Sequence, residues 1–184
     1  MLDVPLRCRC GTLTGVAREI SPSAGFRFLC YCEHCREFAR FLERPDVLDE
    51  AGGTDIFQLP PARVQLTGGT HALQCMHVTP KVFRWYADCC RTPIANTAGP
   101  GFPVLALIHS IMDVEATGRS RDELLGPPVC RIYEHSATAP LPPDAPPPPG
   151  AGMFLRRGVA LLRWRVRGLH RPNPFFQSAT AGRA

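Results

Sequence analysis

The sequence has no N-terminal apolar run ending in small residues, no internal repeat, no uninterrupted stretch of about 20 mostly apolar residues, and no even number of cysteines. Each absence removes a class of protein. Because "MLDVPLRCRCG" runs straight into folded-looking sequence, a secretory leader is not expected and the cytoplasm is the expected compartment. No transmembrane segment is expected either. Nine cysteines cannot all pair within one chain, and clustered thiols in a reducing compartment bind metal or perform chemistry more often than they cross-link. With 184 residues, of which 45% are hydrophobic, the chain can bury one ordinary core, and a second full domain is not expected.

The net charge of +5 is unevenly spread: residues 1–135 hold 14 Arg plus Lys against 15 Asp plus Glu, whereas residues 136–184 hold 7 against 1. Composition shifts at the same place. Seven prolines in "SATAPLPPDAPPPPGAG" (136–152) remove backbone donors and favour extended geometry, so this segment reads as a semi-rigid linker outside the core. Beyond it, Leu155, Val159, Leu162, Val166 and Leu169 recur at alternating spacings of four and three. They share one face of a basic amphipathic helix in the tail, 153–184. A chain ending near Ser136 is accordingly expected to fold.

Residues 1–135 read as mainly β. Short β-branched or aromatic runs at 12–19, 26–29, 55–59, 63–67, 72–78, 82–87, 104–111 and 129–135 are punctuated by Gly and Pro. The one clear helix of this region is "EHCREFARFL" (33–42). Cysteines fall at the junctions: Cys8 and Cys10 form C-x-C before Gly11, Cys30, Cys32 and Cys35 form C-x-C-x-x-C before the helix, and Cys89 and Cys90 stand together after "RWYAD". In extended chain, residues i and i+2 face the same way, so each C-x-C can aim two sulfurs at one point. A helix start after C-x-x-C favours the thiolate that zinc requires, whereas calcium or magnesium would demand oxygen ligands.

Over residues 6–112 this order of cysteine groups, with "RTPI" following an aromatic strand, resembles the glutathione-dependent formaldehyde-activating enzyme family, which also includes centromere protein V. The resemblance implies a β-tent of packed antiparallel sheets and two zinc ions. One would be structural, held by cysteines of the first and third groups. The other would be held by the middle group with one position open. It implies carbon–sulfur lyase chemistry on glutathione or another thiol carrying an aldehyde adduct. Carried over, Cys8, Cys10 and Cys90 are structural ligands, and Cys30, Cys32 and Cys35 form the catalytic, open zinc site. Two departures stand out. The family's third group usually reads C-x-x-C-G-T, but Ala87 lies three before Cys90 and Arg91 follows it, so Cys89 becomes the substitute fourth ligand. Strand neighbours point to opposite faces, so both sulfurs reach one metal only if the chain bends there. Tyr31 stands where the family often has histidine.

Arg36, Arg40 and Arg44, four residues apart along the helix, offer either a carboxylate-binding row or a solvated face. Cys75 and Cys130 read as buried small hydrophobes, and His34 as an exposed helix-start residue. Two functions are therefore expected to compete: a zinc-dependent lyase, and a noncatalytic zinc module whose basic helix binds a protein or nucleic-acid partner.

Overall fold

A computed structural model describes residues 1–181, so the end of the expected tail, 182–184, lies outside the described residues. The molecule is mainly β. A three-stranded sheet, in order β1-β2-β5, joins β1 (Leu2–Arg7), β2 (Thr14–Ile20) and β5 (Val64–Gly68). A seven-stranded sheet runs β10-β3-β4-β9-β8-β7-β6. It is built from β3 (Phe26–Cys30), β4 (Thr54–Leu59), β6 (Leu73–Thr79), β7 (Val82–Ala87), β8 (Thr92–Thr97), β9 (Leu105–Ile108) and β10 (Cys130–Ile132). Helices α1 (Glu33–Phe41), α2 (Arg121–Leu125), α3 (Ala151–Val166) and α4 (Pro174–Ala181) complete the regular structure.

The sheets are not wholly antiparallel as expected: β10 lies parallel to β3, pairing Ile132 with Cys30. A parallel neighbour needs a long crossover, and the stretch from β9 through α2 supplies one. Two further strands were not expected from the sequence, because each contains proline. In β1, Pro5 sits on an edge strand, where one side needs no ladder donor, and in β8 the register shifts between Trp85 and Tyr86 where Pro93 pairs.

The centre of the large sheet is buried on both faces. Strand alternation sends Phe57, Leu105 and Leu107 to one side, against Val4, Leu6, Leu13 and Ala17 of the small sheet. It sends Ile56 and Ala106 to the other, against Cys35 of α1, while Phe38 and Leu42 pack on Ile108. Double burial explains why all four residues of β9 are buried, as an unbroken apolar run rather than an alternating one. Across the large sheet, Arg27 makes a two-pronged contact with Asp55, whose carboxylate also accepts from Arg121 at 2.9 Å.

The proline-rich segment does not stand apart. Arg131 N–H donates to Pro147 O at 3.0 Å, and Thr138 N–H donates to Ala51 O at 2.9 Å. Seven prolines leave carbonyls unpaired by their own segment, and the body's donors meet them. Nor is the tail independent, since Phe175, fully buried, packs on Trp85 with ring centroids 5.4 Å apart. The boundary at 135 therefore separates two compositions but not two cores. Helix α3 is amphipathic, but the face picked out by its apolar spacing points outward: Leu155 and Val166 are 71% and 78% exposed. The body is met instead by Met153, Arg157 and Trp164, with Arg157 donating to Gln58 and Trp164 edge-on to Phe26.

Two measurements follow. Phe175→Ala should lower stability by roughly 3–5 kcal/mol, the usual range for a buried phenylalanine, and a chain ending at Ser136 should melt lower still by thermal unfolding. Asp55 and His109 are the two most buried carboxyl and imidazole contributors to the acid side. Burial works to raise the Asp55 carboxyl, but Arg27 and Arg121 outweigh it and hold it below the usual range. Burial, with Arg121, lowers His109. Both folded values lie below the unfolded ones, so each group contributes stability at high pH that is lost as pH falls. The expected profile of melting temperature has an upper decline beginning near pH ~6.5 and a lower one below pH ~4. In His109→Gln the upper decline should shrink and the lower should persist.

Candidate metal centres

Two sulfur groups form, one at each side of the large sheet's hydrophobic layers. Cys8, Cys10, Cys89 and Cys90 bring their sulfurs within 4.8 Å of one another, as do Cys30, Cys32 and Cys35. Each group can hold a metal ion.

The quartet is assembled by two tight turns. After β1 the chain doubles back, with Gly11 N–H donating to Cys8 O at 2.8 Å and Gly11 itself at φ 81°, where a side chain would be strained. Leu13 N–H then points at the Cys8 sulfur, 3.2 Å away. The second turn lies between β7 and β8. Cys90 N–H donates to Ala87 O at 3.4 Å, closing the bend that two adjacent cysteines need to face one point, and Arg91 follows in the left-handed region at φ 55°. Cys89 lies 3.3 Å from Cys10 and 3.8 Å from Cys8, and Cys90 lies 3.9 Å from Cys89. Thr92 joins the quartet to the core: its hydroxyl is 3.1 Å from the Cys90 sulfur and accepts from Arg9 N–H and from the buried Arg44.

The trio occupies a strand end, a turn and a helix start. Cys30 closes β3, Cys32 caps α1 and Cys35 lies in its first turn, with Cys30 and Cys35 sulfurs 3.8 Å apart. Cys30 and Cys35 are buried, and Cys32 is half-buried. Tyr31, between the two strand-end cysteines, points away as alternation requires. Its hydroxyl donates to Asp49 at 3.0 Å, and burial pushes it up to about 12. No fourth Cys, His, Asp or Glu joins the trio among the described residues. His34 is exposed, as expected. Cys130 is buried in the same apolar cluster without belonging to the sulfur group.

Protons are divided unequally within each group. The Cys30 and then the Cys35 thiol lower Cys32 to about 2, with Arg84 contributing. Cys30 is pushed strongly up by the Cys32 sulfur. For Cys35 the lowering by Cys30 is outweighed by the Cys32 sulfur and by burial, which carry it up to about 11. In the quartet the Thr12 hydroxyl and backbone lower Cys10 to about 6, while burial and Cys10 raise Cys89 to about 12. One thiolate shared among protonated neighbours is what a thiophilic cation resolves, since it takes the place of the protons.

The sequence reading missed Arg84. It is 5% exposed on β7, makes no ion pair with a carboxylate among the described residues, and aims Nη1 at the Cys35 sulfur at 3.8 Å and at Asn96 Oδ1 at 3.2 Å. Its guanidinium also lies over the Phe38 ring, 5.5 Å from the centroid. A buried cation requires a counter-charge, and the nearest source is the sulfur trio. Three thiolates around a divalent ion would carry one net negative charge, which Arg84 would balance. The only hint in the sequence is one arginine inside "VFRWYA". Arg36, Arg40 and Arg44 do not form a ligand-binding row. Arg36 donates to the Tyr31 and Ser136 carbonyls, Arg44 turns inward to Asp46, and only Arg40 is exposed.

A groove of about 440 Å³ lies between β10, the proline segment and the first turns of α3. Its walls include Phe28, Ile132 and Met153, which also pack around the trio. No helix among the described residues is long and apolar enough to cross a membrane.

The model of a family described as "Family of unknown function (DUF6151)" matches residues 2–182, so the match includes the tail. No curated protein matches the chain. Among solved structures, a Rhodobacter sphaeroides protein determined in a structural-genomics programme is similar at 12% identity with a TM-score of 0.41, covering 62% of this chain and 95% of its own.

Arg84→Met should weaken metal binding at one of the two sites by about 10–100-fold, as loss of an outer-shell partner does, and leave the other unchanged. Competition with a chromophoric chelator reads both sites. Equal weakening at both would show that the charge balance is not local to the trio.

Proposed function

We propose for this chain, which belongs to the DUF6151 family of unknown function, that it is a two-zinc protein whose three-cysteine site handles thiol adducts of aldehydes, in the manner of a carbon–sulfur lyase. The carrying observation is the inequality of the two sulfur groups: four cysteines in one, three in the other, with no fourth protein ligand for the trio among the described residues. All-sulfur donor sets suit zinc. Four thiolates complete its tetrahedron, and three leave a position for an incoming ligand. The resemblance of the cysteine order to the formaldehyde-activating family supports the same division of labour.

The chain's own residues would act as follows. Cys30, Cys32 and Cys35 hold the ion, and Arg84 balances the charge that three thiolates leave over. Cys32, the least buried of the three, marks the side from which a ligand arrives, and Phe28, Ile132 and Met153 offer apolar contact beside it. When bound, zinc supplies Lewis acidity that stabilises a sulfur anion. In a hydroxyalkyl thioether the carbon–sulfur bond pair returns to sulfur, the hydroxyl proton leaves, and aldehyde and thiol separate without redox change. A noncatalytic zinc module is the second reading, favoured by the burial of Cys30 and Cys35 at 4% and 6% exposure and by Tyr31 in the histidine's place.

Native protein should contain two zinc ions by elemental analysis. Cys8→Ser or Cys90→Ser should unfold it, because a structural zinc site contributes about 10–16 kcal/mol, comparable to or larger than the ~5–15 kcal/mol stability of a whole domain. Cys32→Ser should leave a folded protein with one zinc and no turnover of a glutathione–aldehyde adduct. If Cys32→Ser melts as low as Cys8→Ser, the trio is structural and the second reading holds.

A further inference from the structure

Helix α3 is turned the opposite way from an ordinary surface helix. One side is fixed to the body: Arg157 Nε donates to Gln58 at 3.0 Å, Arg165 donates to Gly101 O at 2.8 Å, and Trp164 meets the Phe26 ring edge-on at 6.2 Å. The opposite side carries Leu155, Val159, Leu162 and Val166, exposed by 71%, 59%, 65% and 78%. At 100° per residue these four fall within one narrow stripe. Arg156, Arg163 and Arg167 run along one margin of that stripe, while at the other margin Arg165 is tied to the Gly101 carbonyl. Asp144 is the one acidic residue of 136–184, so the helix itself contains none.

Leaving four aliphatic side chains in water on a rigidly held helix forfeits their burial energy, which is recovered only against an apolar phase. We propose that this face docks in the plane of an anionic lipid surface, with the aliphatic stripe entering the acyl boundary and the marginal arginines meeting lipid phosphates. The pattern of an apolar stripe edged by cations, too short and too charged to span, is that of an interfacial helix. The charges decide against two other occupants. A second copy packed through the same stripe would oppose arginine to arginine with no carboxylate from either helix. A nucleic acid would meet the stripe with phosphates and bury no apolar surface. The proposal is independent of the metal chemistry.

The test is co-sedimentation of the full chain with vesicles of phosphatidylcholine alone and of phosphatidylcholine mixed two-to-one with phosphatidylglycerol. Binding is expected to the mixed vesicles only and to weaken as salt rises. Leu155→Asp and Leu162→Asp should abolish it with the melting temperature unchanged, because both side chains are solvent-exposed. Arg163→Gln should weaken it by about fivefold, one cation's share near an anionic surface. Equal binding to both vesicles would overturn the charge argument. Failure to bind either would overturn the proposal outright, whether the chain is then monomeric or forms a dimer that Leu162→Asp dissolves.

Discussion

Among the described residues the two sheets share no ladder of hydrogen bonds, and apart from the backbone contacts of Pro5 and Leu6 with Asp113 and Met112 their relative placement rests on side chains. Much of that work falls to the quartet, in which Cys8 of the small sheet's first turn meets Cys89 of the large sheet's β7–β8 turn across 81 residues of chain. Closing a loop of that length is entropically unfavourable, and thiol-to-thiol contact is a weak means of doing it. A metal ion shared by four sulfurs changes the balance, since its binding free energy becomes folding free energy. The apolar layer between the sheets, with Leu6, Leu13, Ile94 and Leu107 nearly free of solvent contact, ends at these turns, so an ion held by the quartet would add its binding free energy to the stability of that core.

Charge is placed by the same economy. Three arginines are almost fully buried, and each faces a distinct anion: Arg27 the Asp55 carboxylate, Arg44 the Asp46 carboxylate beside the quartet, and Arg84 the trio. The first two make close ion pairs with oxygen. Arg84 does not, and its Nε has no hydrogen-bond partner among the described residues. A guanidinium so placed is tolerable only if the sulfurs opposite it are charged, which ties the folded form of β7 to the ionisation of residues on β3 and α1. A charge-neutral trio would leave the arginine stranded. This is the physical reason to treat the trio as anionic, whether as one shared thiolate or as three thiolates on a metal ion, and not as three neutral packed thiols.

Much of the candidate site was legible in the sequence because spacing alone constrains sulfur positions. The i, i+2 rule places Cys8 with Cys10 and Cys30 with Cys32, and Cys35 follows from one helical turn. Cys89 beside Cys90 required a bend, closed by Cys90 N–H on Ala87 O, and neither that turn nor the left-handed backbone at Arg91 has a glycine to announce it. Strands β1 and β8 were obscured by Pro5 and Pro93, since proline is admitted at sheet edges and bulges and the sequence does not say where those fall. Arg84 was illegible in principle, because its role depends on a partner 49 residues away. Periodicity established that Leu155, Val159, Leu162 and Val166 share a face, but not that the tail would dock by the opposite one.

That inversion follows from what the tail has to join. An apolar stripe docks where a matching apolar groove exists, but the large sheet's second face is already covered by α1 and by the cysteine cluster. What is left for α3 is the rim, with Gln58, Phe26 and the Gly101 carbonyl, and a rim of mixed polarity selects the arginine-and-tryptophan side of the helix. The ends are then secured separately: Pro147 accepts from Arg131 ahead of it, Ala62 N–H donates to Leu169 O behind it, and Phe175 enters the core against Trp85. Proline contributes by limiting the unfolded freedom of the segment that must be laid down. A helix fastened at both ends and along its polar side cannot roll to hide its apolar stripe, so the exposure of that stripe is a property of the fold and not of a loosely attached tail.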